Sequence, residues 1–308
     1  MKKINLALVG IGRFGQNYLN EINNNKYFNC SYVIKKNSHI KNKKLFLKKK
    51  IKVRIFNYNL KINDIQGAVI ASPAYAHYKN AKYFLNRKIP IILEKPVANN
   101  YRQVFLLNEL SKKKKTSVLV HYSDLYNDKL NYLSRYKGKI GRIKKIDIKF
   151  FKKQNFYKNE NSQPFFDWLP HILAILNKFA NINGKYKFIK KISYVNKNSL
   201  YQSIDCECVN EQNQNFSIRY SNIKKRKYRM LKIYGTKGTL AYDDYNKKNN
   251  FVIINKKRNF FFTKKSTIQN ILNNFYVLIK KNSYRNDLIV SLKIQKVFDK
   301  IKKIYLKN

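Results

Sequence analysis

The sequence predicts an α/β protein of two domains: a parallel sheet with helices on both faces, then an α+β domain built on a large, mostly antiparallel, open sheet. Three observations predict it. Residues 4 to 121 alternate short apolar runs with longer amphipathic stretches, the pattern of buried parallel strands joined by helices. After residue 121, alternation of apolar and polar positions takes over, as half-buried antiparallel strands require. The run Ile4 to Val9 also leads directly into Gly10-x-Gly12-x-x-Gly15 and a helical pattern, giving strand, tight turn and helix. The boundary falls near residue 122, so the domains are 1–122 and 123–308.

Each element of the first domain has its own signal. Ile4 to Val9, Cys30 to Ile34, Lys52 to Phe56, Ala68 to Ala71, Pro90 to Leu93 and Ser117 to His121 are short and apolar enough to be strands. Phe14 to Asn24, Tyr75 to Arg87 and Tyr101 to Lys114 carry apolar residues at helical spacing, and Lys112 to Lys115 reads as a solvated helix end. Lys41 to Lys50 is polar enough to be at most a short, solvated helix. In the second domain a helix-like stretch, Leu125 to Tyr136, precedes a turn at Gly138 and Gly141. Strands are expected at Arg142 to Lys152, Ile192 to Ser203, Phe216 to Ser221, Arg229 to Ile233, Thr239 to Asp243 and Phe251 to Asn255. A helix, Asp167 to Phe179, interrupts them, and Thr267 to Lys281 and Asp287 to Leu306 close the chain as helices of that domain.

Composition narrows the class. With 308 residues, 44% hydrophobic and 15% aromatic, the chain can bury two cores. No apolar run reaches the roughly 18 to 20 residues of a membrane span. The start, Met1-Lys2-Lys3, runs into a strand rather than an export signal, and three cysteines do not form a disulfide framework. A cytoplasmic protein without a membrane partner is expected. The formal charge of +50 raises nucleic-acid binding. Lysines are scattered through every segment, however, and Asn is inflated with them. Codon drift in an AT-rich genome is the reading adopted, and no nucleic-acid partner is expected. The field should still attract anionic ligands.

The glycines of the first turn divide the labour of a dinucleotide site. Gly10 permits the turn, Gly12 lets a pyrophosphate approach the backbone, and Gly15 lets helix and strand pack closely; Arg13 and Phe14 open the helix whose amides face the phosphates. About 20 residues on, Lys35 and Lys36 stand where NAD-selective sites carry an acid to hold the ribose hydroxyls. Two basic residues there favour NADP over NAD. Ala71-Ser72-Pro73 with His77, and Glu94-Lys95-Pro96, end the fourth and fifth strands, where open parallel sheets bind ligands. Lys95 there can act as an acid or polarise a carbonyl. Asp167, as a helix N-cap, and His171 share one face four residues apart, a carboxylate orienting an imidazole for proton transfer; Pro170 is expected in the first turn. Cys206 and Cys208 flank Glu207 on a strand, too few ligands for a metal, so no metal is expected. His39 and His121 have no partner visible in the sequence.

Taken together in this order, the glycine turn, Ala71-Ser72-Pro73 with His77, Glu94-Lys95-Pro96, Asp167 with His171, and Ile233-Tyr234-Gly235-Thr236-Lys237-Gly238-Thr239-Leu240 resemble the Gfo/Idh/MocA family, the glucose-fructose oxidoreductase and inositol dehydrogenase-like enzymes. The resemblance implies a Rossmann domain, then an α/β domain whose open sheet often carries homo-oligomerisation. It implies hydride exchange between NAD(P) and a hydroxyl-bearing carbon of a sugar, nucleotide sugar or cyclitol. The cofactor-binding residues expected are Gly10, Gly12, Arg13, Phe14, Gly15, Ser72, Pro73, His77, Glu94 and Lys95, with Lys35 and Lys36 where the family carries an acid. By the same resemblance, Lys95, Asp167 and His171 are catalytic: Lys95 contacts the hydroxyl and the nicotinamide side, His171 moves the proton, and Asp167 orients it or binds substrate. Tyr122, Asp124, Tyr126 and Asn127 resemble the substrate-facing loop, with interface packing as the alternative, and the Lys95-Pro96 peptide is expected cis. Bulky Pro164-Phe165-Phe166 replaces small residues of the family, and an occluded, non-catalytic dinucleotide binder is the alternative function.

Overall fold

Six parallel strands form the first sheet, in the order β3-β2-β1-β4-β5-β6. They are β1 (Ile4–Val9), β2 (Phe28–Lys35), β3 (Lys52–Ile55), β4 (Gly67–Ile70), β5 (Ile91–Glu94) and β6 (Val118–His121). Every residue of β4, β5 and β6 is buried, which is why these strands read as unbroken apolar runs rather than alternating ones. The strand order reverses between β1 and β4, so their C-terminal ends open a crevice at the switch point of a Rossmann sheet. The helices between them are α1 (Arg13–Asn23), α2 (Ala74–Asn86) and α3 (Tyr101–Lys114). The last is capped by the Asn100 side chain, which accepts from the Gln103 N–H, and Lys112, Lys113 and Lys114 complement its C-terminal dipole.

The computed structural model describes residues 2–35, 50–55, 61–153, 164–195, 202–224, 227–262 and 266–306; the helix expected at Lys41 to Lys50, with Lys36 and His39, falls almost wholly outside them. The chain divides into two units, Met1–Tyr126 with Ser266–Asn308, and Asn127–Lys265. The closing helices expected in the second domain, α6 (Thr267–Lys280) and α7 (Leu288–Leu306), pack in the first unit. The reason is burial. α6 starts with a capping box of Ser266 and Gln269 and puts Ile271, Leu272, Phe275 and Leu278 into one core with Leu6, Tyr18 and Phe28. The intervening segment runs beside β6: Val118 N–H donates to Arg285 O (2.9 Å) and Asp287 N–H to Val118 O (2.8 Å). Buried Asp287 then accepts from the Val120 N–H and the Tyr126 hydroxyl, so an open sheet edge is covered.

The second unit is an eight-stranded sheet in the order β14-β13-β12-β11-β7-β10-β9-β8. These strands are β7 (Ile143–Lys153), β8 (Tyr186–Val195), β9 (Gln202–Asn210), β10 (Asn215–Lys224), β11 (Tyr228–Gly235), β12 (Gly238–Asp243), β13 (Phe251–Ile254) and β14 (Lys257–Phe260). All pairings are antiparallel except that of β7 with β10. The single strand expected at Ile192 to Ser203 is the end of β8 and the start of β9. The edge strand β14 has no apolar alternation to announce it: Lys257, Arg258, Asn259 and Phe260 are all exposed. Along β7, buried Ile146, Ile148 and Phe150 alternate with half-exposed Asp147, Lys149 and Phe151. The helices α4 (Asp128–Arg135) and α5 (Pro164–Phe179) pack against β12 and β10 respectively. No helix among the described residues is long and apolar enough to cross a membrane.

Candidate active site and cofactor cleft

The crevice at the C-terminal ends of β1, β2, β4 and β5 holds a cleft of about 570 Å³. Its glycines differ in what a side chain would meet. Gly10 has φ +92° and donates its N–H to Ile34 O at 2.8 Å; a Cβ there would lie 2.6 Å from Ala71 O and 2.7 Å from the Ser72 Cα. A Cβ on Gly15 would overlap the Gly10 carbonyl oxygen. One on Gly12 would meet no atom within 4 Å. Gly12 begins α1 and Pro73 begins α2 with no side-chain cap and no acid in either first turn. Both helix starts therefore present the positive dipole end to an anion, although in α2 the Ala76 N–H bonds back to Pro73 O at 2.9 Å. An open Gly12, two uncapped helix starts and Lys35 on the wall fit the pyrophosphate and ribose phosphate of a nicotinamide dinucleotide.

Of the residues expected to bind cofactor, Gly10, Gly12, Arg13, Phe14, Lys35, Ser72, Pro73, His77, Glu94 and Lys95 line this cleft; Gly15 lies buried behind it and Lys36 is outside the described residues. Sequence reasoning missed Tyr75, an exposed ring on the cleft wall in the first turn of α2. Its position directly after Ser72-Pro73-Ala74 was the available signal. His77 plays a different part from the rest. It is buried, with Nδ1 2.6 Å from Pro96 O and Nε2 2.7 Å from Ser72 O, so it ties together the loops after β4 and β5. Burial pulls its pKa below the ordinary imidazole value, against the opposite pull of the two carbonyls and of Glu94. Asn80 Nδ2 donates to Ser72 Oγ at 2.9 Å and fixes the same loop.

Glu94, at the end of β5, is buried, and the Lys95–Pro96 peptide after it is cis, as expected. The Lys95 N–H donates to Glu94 Oε2 at 3.3 Å. Glu94 Oε1 lies 2.6 Å from His121 Nδ1, the Tyr18 hydroxyl lies 2.8 Å from the same nitrogen, and His121 Nε2 is 3.3 Å from Thr267 Oγ1. His121 thus has partners that the sequence did not reveal, because they come from α1, β5 and α6. Burial first, and the Glu94 charge second, push the Tyr18 phenol well above its ordinary pKa.

In the second unit α5 starts at Pro164, a residue whose fixed φ suits a helix start. Asp167 therefore lies within the first turn rather than at the N-cap, and Pro170 falls inside the helix. Asp167 and His171 are half-buried, one turn apart on that helix. Tyr122, Tyr126 and Asn127, expected to face substrate, have internal partners instead. Tyr122 is buried, and its pKa is pushed up to about 12 by burial, against a hydrogen bond with Ser291. Tyr126 is buried with its hydroxyl on Asp287. Asn127 caps α4, accepting from the Lys129 and Leu130 N–H groups, and donates to the Tyr242 hydroxyl at 3.1 Å. Cys206 and Cys208 are free thiols, and a hydrogen bond from Cys206 to Cys208, with burial, pushes the Cys208 pKa up. Among the described residues no group of three His, Cys, Asp or Glu could hold a metal ion.

Residues 4–122 match the family model GFO_IDH_MocA, described as "Oxidoreductase family, NAD-binding Rossmann fold". These residues belong to the Gfo/Idh/MocA oxidoreductases. That stretch is the NAD-binding Rossmann domain of an oxidoreductase family. Its fold is shared by solved structures over nearly the whole length of both partners. A dehydrogenase from Clostridium difficile has a TM-score of 0.78 at 16% identity, over 98% of this chain and 99% of that one. A UDP-N-acetylglucosamine 3-dehydrogenase from Acidithiobacillus ferrooxidans gives 0.81 at 10% identity, over 97% of each chain. A 3-ketoreductase from Actinomadura kijaniata, solved with NADP and TDP-benzene, gives 0.77 at 10% identity, over 97% and 96%. No curated protein matches the chain.

Proposed function

We propose that this Gfo/Idh/MocA oxidoreductase transfers a hydride between NAD(P) and a hydroxyl-bearing carbon of a sugar, nucleotide sugar or cyclitol. One observation carries the reading: the glycine turn with its free helix amides and Glu94-Lys95 line one cleft, so a lysine stands in the same crevice as the phosphate cradle. Bound NAD(P) supplies the hydride acceptor or donor. In the oxidising direction the substrate carbon loses a hydride, and its hydroxyl loses a proton. Lys95 holds that hydroxyl and, by its charge, favours the developing alkoxide. His171 takes the proton in oxidation and returns it in reduction, and Asp167 orients the imidazole or binds a substrate hydroxyl. Lys35 favours NADP by pairing with a ribose phosphate. One fold neighbour is a UDP-N-acetylglucosamine 3-dehydrogenase and another a 3-ketoreductase holding NADP and TDP-benzene, which supports this substrate class. The family resemblance further supports a homo-oligomer built on the open sheet of the second unit.

The test is dinucleotide binding followed by turnover of a polyol and nucleotide-sugar panel, read in the reduced-nicotinamide absorbance band. Lys95→Met and His171→Ala should each lower kcat by about a hundredfold or more, the usual range for lost general acid-base catalysis, with NADPH affinity kept for His171→Ala. A wild type that binds NADPH but turns over nothing in the panel favours the occluded, non-catalytic reading. One that binds no dinucleotide refutes both.

A further inference from the structure

Behind the cleft is a set of buried polar groups that the proposed chemistry leaves unused. Tyr18 has no exposed surface, His121 is 4% exposed and Glu94 6%, and they come from α1, β6 and β5. Glu94 is the member that reaches the cleft. Its two oxygens are claimed from inside the protein, one by His121 Nδ1 at 2.6 Å and the other by the Lys95 N–H at 3.3 Å. A Glu94 carboxylate accepts, so the ring proton used in this contact is the one on Nδ1. The opposite nitrogen faces the Thr267 hydroxyl at 3.3 Å, from the first turn of α6. A histidine held at both nitrogens, with a phenol 2.8 Å from Nδ1, has one orientation. Buried polar groups are costly unless mutually satisfied, and an apolar floor would serve packing alone.

We propose that His121, backed by Tyr18 and Thr267, is a positioning residue for the cofactor cleft. It holds the Glu94 carboxylate, and with it the Lys95 backbone, in the binding arrangement before the dinucleotide arrives. The gain is pre-organisation: a glutamate already fixed on the cleft wall loses no rotamer freedom on binding. The inference rests on the reading that the cleft takes NAD(P) with its nicotinamide half toward Glu94 and Lys95.

The experiment uses the full chain, with ADP as a probe for the adenosine diphosphate half and NADPH as the whole ligand. His121→Phe keeps the ring and removes both nitrogens. It should weaken NADPH binding by about tenfold or more, the scale of one lost hydrogen bond to a charged group, and leave the ADP dissociation constant within about twofold. His121→Asn restores an N–H near the Nδ1 position and should recover most of the NADPH affinity. Tyr18→Phe removes a single oxygen and should weaken NADPH severalfold with ADP again unchanged, which carries the test if His121→Phe does not fold. Equal weakening of ADP and NADPH, or NADPH binding at the wild-type level in both ring variants, overturns the inference while the cofactor reading stands. A wild type that binds neither probe defeats the cofactor reading itself.

Discussion

A methyl group added at Gly12 and one added at Gly15 should have opposite consequences, although the two positions are three residues apart. At Gly12 the backbone has φ −69° and ψ −169°, open to any residue, and a Cβ would meet no protein atom within 4 Å. Gly12→Ala should therefore cost the free protein at most about 1 kcal/mol, from the weaker N-cap preference of Ala. The methyl would nevertheless occupy the space that a pyrophosphate needs. Overpacking of about 1 to 3 kcal/mol, together with an amide–phosphate bond worth about 1.5 to 3 kcal/mol, gives roughly a hundredfold or greater loss of NADPH affinity. At Gly15 the Cβ would overlap the Gly10 carbonyl oxygen and lie 2.9 Å from its carbon, backbone that cannot swing aside. Gly15→Ala should cost about 1 to 3 kcal/mol of folding stability, a fall in melting temperature of roughly 2 to 10 °C. Thermal unfolding of the ligand-free variants and NADPH fluorescence titration measure both. Gly12→Ala binding NADPH within threefold of wild type would refute the cradle, and Gly15→Ala melting like wild type would refute the packing argument.

Alkaline pH should unfold the first unit through its buried phenols. Tyr122 is raised from 10.0 to about 12 in the fold, so its contribution is fully present below pH 10 and is lost as pH rises from 10 to 12. That loss is about 3 kcal/mol, with Tyr18 and Tyr126 shifted in the same direction. The stability difference between wild type and Tyr122→Phe, from denaturant titrations, should shrink by about that amount between pH 10 and pH 12. A constant difference would count against it. Lys35→Glu places an acceptor for ribose hydroxyls on the cleft wall and repels a ribose phosphate. The ratio of NADP to NAD affinity should fall by about tenfold or more, the worth of one charged contact, and an unchanged ratio would remove Lys35 from cofactor selection.

Local chemistry made much of this protein legible before any coordinates. Gly10, Gly12 and Gly15 are spaced by the mechanics of a strand turning into a helix, and those mechanics act over six residues. The same holds for the fully apolar strands β4 to β6, whose burial on both faces leaves its mark in each residue. The edge strand β14 was silent because an exposed strand buries nothing that a pattern could register. α6 showed its apolar face in the sequence, but a hydrophobic stripe carries no address; only the core around Leu6 and Tyr18 decided that it covers the first sheet. His121 is the sharpest instance. Its partners lie 103, 27 and 146 residues away, on three elements that meet only because the parallel sheet aligns β5 with β6 and the chain returns through α6. The glycine turn could be read because its parts are neighbours in the chain. The buried floor beneath Lys95 could not, because hydrogen bonds over such separations exist only after the fold has brought their ends together.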